Sequence, residues 1–343
     1  MVTTNKIKIL FGTSLFGGLG GFTFEEAVEQ LAEVEKLGIT HLDGAYGYGA
    51  SEAWLGKMGA GSRFTIDSKH PGGLSSEPAT KENVLEKMEE SLRNLRVDKV
   101  NIYYLHAPDA RVPLKETLSA INDLHKAGKF THFGLSQFSA AEIEQVVTIA
   151  KANNYILPTF AQSNYNAITR RAEKEVFPLL RQHGIAFYAY SPIAGGFLAK
   201  SPEQINPSSS SSSDGNSDAG RWNNPDSVLG AVYGTLYNKP AMLSALESFN
   251  VIAGDAGITR AELAYRWIAY HSVLSGEVGD GIVLGARNVG QLKATVEGLK
   301  RGPLSEEIAG RVSGLWEEMG LEGIAPLDNW DGFAKEVFGG KGY

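Results

Sequence analysis

The chain has 343 residues, of which 43% are hydrophobic and 21% charged, and its formal net charge is −7. That length suits one large α/β domain or two small ones, and an acidic balance without a clustered basic face argues against nucleic acid and anionic membranes as partners. There is no cysteine, so disulfides, thiolate nucleophiles and zinc–thiolate sites are excluded.

The N-terminus, "MVTTNKIKILFGTSLFGG", lacks the apolar stretch of about 7–15 residues that marks a secretory signal. No window approaches the roughly 18 apolar residues of a membrane span. A soluble, cytoplasmic protein is the expectation.

Along the chain, short β-branched or aromatic runs alternate with segments of helical spacing. The run "IKILFG" (7–12) reads as a first strand. The glycines after it, "FGGLGGFT", match G-x-G-x-x-G at Gly18 and Gly20 but put Thr23 third, so this stretch reads as a flexible loop. Thr23 caps a helix over 24–37. The strand "THLDGA" (40–45) carries Asp43 near its end. Tyr46 and Tyr48 follow among glycines, and a helix over 52–58 comes next. The strand "RFTIDSK" (63–69) ends on Lys69, with a helix over 83–95 after it; "VNIYYLH" (100–106) ends on His106, with a helix over 114–127. "THFGLS" (131–136) leads into Ser136-Gln137 and a helix over 140–153 capped by Ser139. "TFAQSN" (159–164) supplies Gln162 and Asn164, with a helix over 171–183 behind it; "IAFYAYSP" (185–192) supplies Tyr190-Ser191.

Residues 201–225 hold six consecutive serines among Asp, Asn and Gly. Such a composition buries too little apolar area to offset ordering, which predicts a flexible loop and, above a ligand site, a flap. A helix over 260–271 capped by Thr259, the strand "GIVLGA" (281–286) leading to Gly285 and Arg287, and a helix over 289–299 complete the alternation. Residues 304–343 read as an extra C-terminal helix (304–320) and a tail containing "NWDGF" (329–333).

Eight strands alternating with eight helices predict a single (β/α)8 TIM barrel over 1–343, with a doubly wound sheet as the alternative. In a barrel the polar strand ends share one rim. One physical reading fits Asp43, Tyr48, Lys69 and His106 together. A free tyrosine is a weak acid at neutral pH, and a nearby ammonium lowers its pKa. Asp43 would hold Lys69, Lys69 would tune Tyr48, and Tyr48 would protonate a carbonyl oxygen that His106 orients. Asp67 shares a strand face with Lys69 and can compete with Asp43 for it. No side chain supplies hydride, so a nicotinamide cofactor is implied. His41, His70, His125, His132, His183 and His271 are scattered without metal-ligand spacing; no metal is expected, although His70 can line the cleft.

The segments "LDGAYGYGASEAWLG", "YYLHAPD", "LHKAGKFTHFGLSQF", "ILPTFAQSNYNAITR", "FYAYSPIAGGFL" and "GIVLGARNVGQL" together resemble the aldo-keto reductase superfamily, closest to its aflatoxin-aldehyde reductase branch, from about residue 7 to residue 300. The resemblance selects Tyr48 over Tyr46 and makes Asp43, Tyr48, Lys69 and His106 the catalytic tetrad. It places Ser136, Gln137 and Gln162 on the nicotinamide carboxamide and Tyr190 on the ring. Ser191, Pro192, Ile193, Gly195 and Lys200 fall along the pyrophosphate, Arg221 on the cofactor, and Gly285, Arg287 and Gln291 at the adenosine 2′-phosphate. An Arg fork suits a phosphate dianion, so NADPH is the expected cofactor.

Trp54, Trp222 and Tyr233 fall where the substrate lies, with packing the competing role for Trp54. Gly44 stands where the branch has Thr, Gln137 where it has Asn, and Arg287-Asn288 where it has two serines. Leu236 stands near the position where the branch carries an Arg that binds substrate carboxylates, so the resemblance favours neutral or aromatic aldehydes over carboxylate-bearing ones. The resemblance leaves room for a homodimer. Two other functions fit parts of this pattern: a barrel aldolase with Lys69 as Schiff-base nucleophile, and a cofactor-sensing regulatory subunit on the same fold.

Overall fold

The computed structural model describes residues 7–18, 21–206, 222 and 228–326. Arg221, most of the serine-rich stretch and the "NWDGF" tail lie outside the described residues. Eight parallel strands close into a barrel in chain order: β1 (Lys8–Gly12), β2 (His41–Asp43), β3 (Thr65–His70), β4 (Val100–Leu105), β5 (Phe130–Ser136), β6 (Pro158–Asn164), β7 (Ala186–Tyr190) and β8 (Gly281–Leu284). β8 pairs with β1 from Lys8↔Gly281 to Phe11↔Leu284. The sheet therefore has no open edge, and the doubly wound alternative is excluded.

The helices among the described residues are α1 (Phe24–Lys36), α2 (Ser51–Lys57), α3 (Lys81–Leu95), α4 (Leu114–Lys126), α5 (Ala140–Asn153), α6 (Ala172–Glu175), α7 (Phe177–His183), α8 (Pro202–Ile205), α9 (Val228–Tyr237), α10 (Pro240–Asp255), α11 (Arg260–Tyr270), α12 (Val289–Lys300) and α13 (Glu306–Glu318). Thr23 and Ser139 each form a reciprocal capping box with the Glu three residues on, which satisfies two orphan backbone donors per helix. The single helix expected over 171–183 breaks at Val176. Pro178 lacks the N–H that would bond the carbonyl of Lys174, so the helix cannot run through it. Helices α9 and α10 were not anticipated.

Strand alternation sorts the side chains. Leu10, Ile102, Tyr104, Tyr188 and Val283 plug the barrel interior, with Phe160 and Tyr190 packed on them. Outward-facing residues such as Leu42, Tyr103, Phe133 and Phe187 join the helices in the larger outer core. At the base of the seam, the Asp280 carboxylate takes both Arg181 guanidinium nitrogens and the Phe187 N–H, which ties α7, β7 and β8 together. At the opposite rim, Arg111 ion-pairs with Asp109 at 2.7 Å and donates to the carbonyls of Ser75 and Ser76. Asp109 accepts the Ala79 N–H. This brace fixes the loops that follow β3 and β4, where Lys69 and His106 are presented.

Candidate active site

β2 ends on Asp43, only 3% exposed. Two residues past its register partner Asp67, β3 brings Lys69 onto the same inner face, fully buried. The Lys69 ammonium donates to Asp43 Oδ1 at 2.8 Å and to the Gly44 carbonyl at 2.7 Å. It also lies 5.3 Å from the Tyr48 ring centre and 5.4 Å from that of Tyr104. A buried ammonium is tolerated only when paired this completely, and the two ring faces add cation–π attraction. Asp67 does not take the lysine. Its Oδ1 instead accepts the Asn101 side-chain amide at 2.8 Å and the Ile102 N–H at 3.1 Å.

The turn after Asp43 separates the two tyrosines. Tyr46 points to α3, where its hydroxyl donates to Glu90 at 2.9 Å and accepts from Lys87 at 3.0 Å. Tyr48 turns inward to an edge-on contact with His106, ring centres 5.5 Å apart. Gly49, at φ +60, closes this turn against Gly17 and Gly18; a Cβ there would come within 3.0 Å of both. The structure thus brings Asp43, Tyr48, Lys69 and His106 together and leaves Tyr46 outside.

The electrostatics differ from the sequence expectation in sign. Burial, and then the charge of Asp43, push the Tyr48 phenol well above its ordinary value. The Lys69 ammonium, bonded to Asp43 and Gly44, does not offset this rise. Tyr48 is therefore a protonated phenol across the working pH range, the state an acid needs. Burial, reinforced by Lys69 and His70, drives His106 well below the ordinary imidazole value. His106 is neutral, and its Nδ1 is buried without a hydrogen-bond partner. The backbone on either side of it is fixed: the His106 N–H donates to the His70 carbonyl at 2.8 Å, and the Gln137 side chain donates to the His106 carbonyl at 3.1 Å. His70 itself faces away. Its Nδ1 accepts the Gly72 N–H and its Nε2 meets Asn83 Oδ1, so it holds a loop. Burial lowers it to about 4, and it stays neutral.

The other expected residues fall into three groups. Gln162, on β6, donates to the same Asp43 Oδ1 at 2.8 Å. It thereby joins the charged pair directly, a contact across 119 positions. The Ser136 hydroxyl is buried without a partner. Gln137, Ser191 and Ala194 are non-glycine residues at φ +62, +54 and +51. Two other described non-glycine residues with positive φ, Arg96 and Asn154, are helix C-caps and so have a structural reason. The three at the rim are not helix caps, and strain of this kind collects at ligand sites.

The segment from Ser191 to Gly196 forms the second group. Gly195 and Gly196 have φ +64 and +100. The Tyr233 ring, from α9, rests on Gly195, and its hydroxyl lies 2.9 Å from Ser191 Oγ. Trp222 packs on Phe197 with tilted rings whose centres are 5.5 Å apart. Pro192 and Ile193 complete the turn, and Lys200 ends it. Asn166, which the sequence reading did not single out, donates to the Ser191 carbonyl and to Asn164. Tyr237 accepts from both asparagines. The i, i+2 spacing of Asn164 and Asn166 was the available signal. Gly195→Ala would put a methyl 2.1 Å from the Tyr233 ring at a positive φ. The expected result is a loss of about 2–4 kcal/mol in chemical denaturation, from overpacking plus strain, with weakened ligand binding at this loop.

The third group lies past β8. Gly285 is exposed, and its carbonyl accepts the Tyr265 hydroxyl. Arg287 is exposed; its N–H donates to Gln291 Oε1, and Asn288 caps α12. Trp54 packs edge-on against Phe24 and close to Gly17, contacts that belong to helix packing. Among the described residues no cluster of three or more His, Asp or Glu is arranged to hold a metal ion, and no helix is long and apolar enough to cross a membrane.

A closed parallel barrel with a buried carboxylate–ammonium pair, a phenol and a neutral imidazole gathered at one rim has the layout of a barrel enzyme. The chain belongs to the aldo/keto reductase family, whose profile matches residues 8–317. It is 38% identical over 319 residues to "Oxidoreductase sirO" of Leptosphaeria maculans, covering 90% of this chain and 93% of the relative. It is 34% identical over 292 residues to human "Aflatoxin B1 aldehyde reductase member 2", covering 82% and 79%, and 33% identical over 298 residues to human "Aflatoxin B1 aldehyde reductase member 4", covering 82% and 86%. It is an enzyme of a family that reduces carbonyl compounds with a nicotinamide cofactor.

Proposed function

We propose that the protein reduces aldehydes and ketones to alcohols with NADPH, and that Tyr48 is the proton donor. The observation that carries this reading is the buried Lys69–Asp43 pair, with Tyr48 and His106 beside it. The residues present fit a dinucleotide. Strained Gln137 and Ser191, the unpartnered Ser136 hydroxyl and the glycine cradle at 195–196 give a polar, close-approach track from the tetrad outward. Ser136, Gln137 and Gln162 would hold the carboxamide and Tyr190 the ring. Ser191, Pro192, Ile193, Gly195 and Lys200 would line the pyrophosphate. Gly285, Arg287 and Gln291 would receive the adenosine phosphate. A reduced nicotinamide held there supplies the hydride.

The chain's own residues do the rest. His106, neutral, hydrogen-bonds the carbonyl oxygen and orients it. As negative charge builds on that oxygen, Tyr48 Oη passes its proton to it, giving the alcohol. The Lys69 ammonium stabilises the phenolate left behind, and Asp43, held by Gln162, keeps the ammonium in place. Tyr233 and Trp222 line the approach, with Leu236 buried on the Tyr233 helix. That lining favours neutral or aromatic carbonyls, in keeping with the aldehyde reductases named among the relatives.

The test is a panel of carbonyls followed at the nicotinamide absorbance, with NADPH and NADH side by side. Tight cofactor binding with no oxidation by any carbonyl would replace this reading with a regulatory one. Arg287→Ala is expected to weaken NADPH by about 10- to 100-fold, the loss of a charge-assisted phosphate contact, and to leave NADH nearly unchanged. Equal loss for both cofactors would remove Arg287 from the phosphate site.

A further inference from the structure

Beneath the tetrad, the barrel interior holds a carboxyl that the proposed reaction does not use. Asp67 is fully buried and faces Asp43 across the β2–β3 register. Its Oδ1 is doubly hydrogen-bonded, but its Oδ2 is buried with no partner. The Tyr188 hydroxyl from β7 is also buried without a partner. The Tyr104 hydroxyl from β4 is likewise buried without a hydrogen-bond partner, with the Gln162 amide nearby. The Asp67 charge reaches both phenols, and it interacts with Asp43 and Lys69. The charged and titratable groups around it are therefore Asp43 on β2, Lys69 on β3, Tyr104 on β4 and Tyr188 on β7, with Asp280 acting on Tyr188 from the base.

We propose that Asp67 is a positioning residue that sets the pH range of proton transfer from Tyr48, acting through the Asp43–Lys69 pair. This rests on the proposed reduction. With Asp67 neutral, the pair carries one negative and one positive charge, and Lys69 can answer a phenolate at Tyr48. With Asp67 ionised, a second carboxylate competes for the same ammonium, and the phenolate costs more. Reduction then slows as the pH rises through the titration of Asp67. Burial pushes that carboxyl up to about 7, against the Asn101 hydrogen bond that pulls it down, and the charge of Asp43 adds to the rise.

The experiment is single-turnover reduction of a carbonyl that the wild type accepts, measured against pH. The wild type is expected to slow roughly 3- to 10-fold through about pH 7, the effect of one like charge at this range. Asp67→Asn keeps an oxygen for the Asn101 and Ile102 donors and should lose that inflection while retaining its low-pH rate. Infrared difference spectra between about pH 6 and about pH 8 should show a protonated-carboxyl band vanishing in the wild type and absent from the variant. Should Asp67→Asn fail to fold, Asn101→Ala removes the bond that favours the carboxylate and should move the inflection upward. Superimposable profiles in wild type and either folded variant overturn the inference. A wild type that turns over no carbonyl overturns the proposed function instead, and this inference with it.

Discussion

Tyr48→Phe is expected to bind NADPH as the wild type does and to reduce carbonyls about 100- to 10,000-fold more slowly, the usual contribution of a positioned acid. The substitution removes one oxygen and leaves the ring that packs against His106 and the Lys69 ammonium. Folding should change little, because the phenol sits where burial already disfavours its charged form. Tyr46→Phe is the control. It cuts the bonds to Glu90 and Lys87 at a part-buried position, which costs about 1 kcal/mol of stability and should leave turnover intact. The check is cofactor titration by fluorescence beside steady-state kinetics. Normal rates in Tyr48→Phe with loss in Tyr46→Phe would assign the acid to the other tyrosine.

Lys69→Met is expected to abolish turnover and to cost about 3–5 kcal/mol of stability, the usual result of stranding one member of a buried ion pair. A typical domain has only about 5–15 kcal/mol in total, so the variant should unfold at clearly lower denaturant. The stranded group is Asp43, 3% exposed and left with Gln162 as its side-chain donor. The sign of the pH dependence follows from linkage. A buried carboxyl without its cation binds a proton more tightly folded than unfolded. Stability is therefore regained as the pH falls and lost again as it rises. Denaturation compared at a lower and a higher pH should show the deficit narrowing at the lower one. Asp43→Asn in the same chain should recover part of the stability and none of the activity. An unchanged denaturation midpoint in Lys69→Met would mean that the pair contributes no net stability.

The barrel was legible because its strands are short apolar runs that end on polar residues, and its helices carry caps that the structure reproduces at Thr23, Ser139 and Thr259. The α9–α10 region was not. "VLGAVYGTLY" and "PAMLSALESFNVIAGD" are apolar on most sides and broken by glycine and proline, so no 3.6-residue stripe stands out. Their packing against the rest of the barrel decides the structure. The convergence of Asp43, Lys69 and His106 was legible from strand ends alone. Choosing between Asp43 and Asp67 as the lysine's partner needed depth along β3, because the two carboxylates lie on the same inner surface. The direction in which Tyr48 shifts was illegible for a related reason: burial is a property of the assembled rim, and no local pattern encodes it. Gln162 joined Asp43 only through closure of the barrel.

The way Lys69 is held has a chemical corollary. Aldehydes condense with free amines, and the proposed reduction would bring them close to this one. An ammonium locked between a carboxylate and a backbone carbonyl has no lone pair to offer. The barrel thus shields its innermost amine from imine formation, and with no thiol anywhere in the chain it also lacks the softest target for unsaturated electrophiles. If the proposed aldehydes are its substrates, the protein should withstand self-inactivation by them.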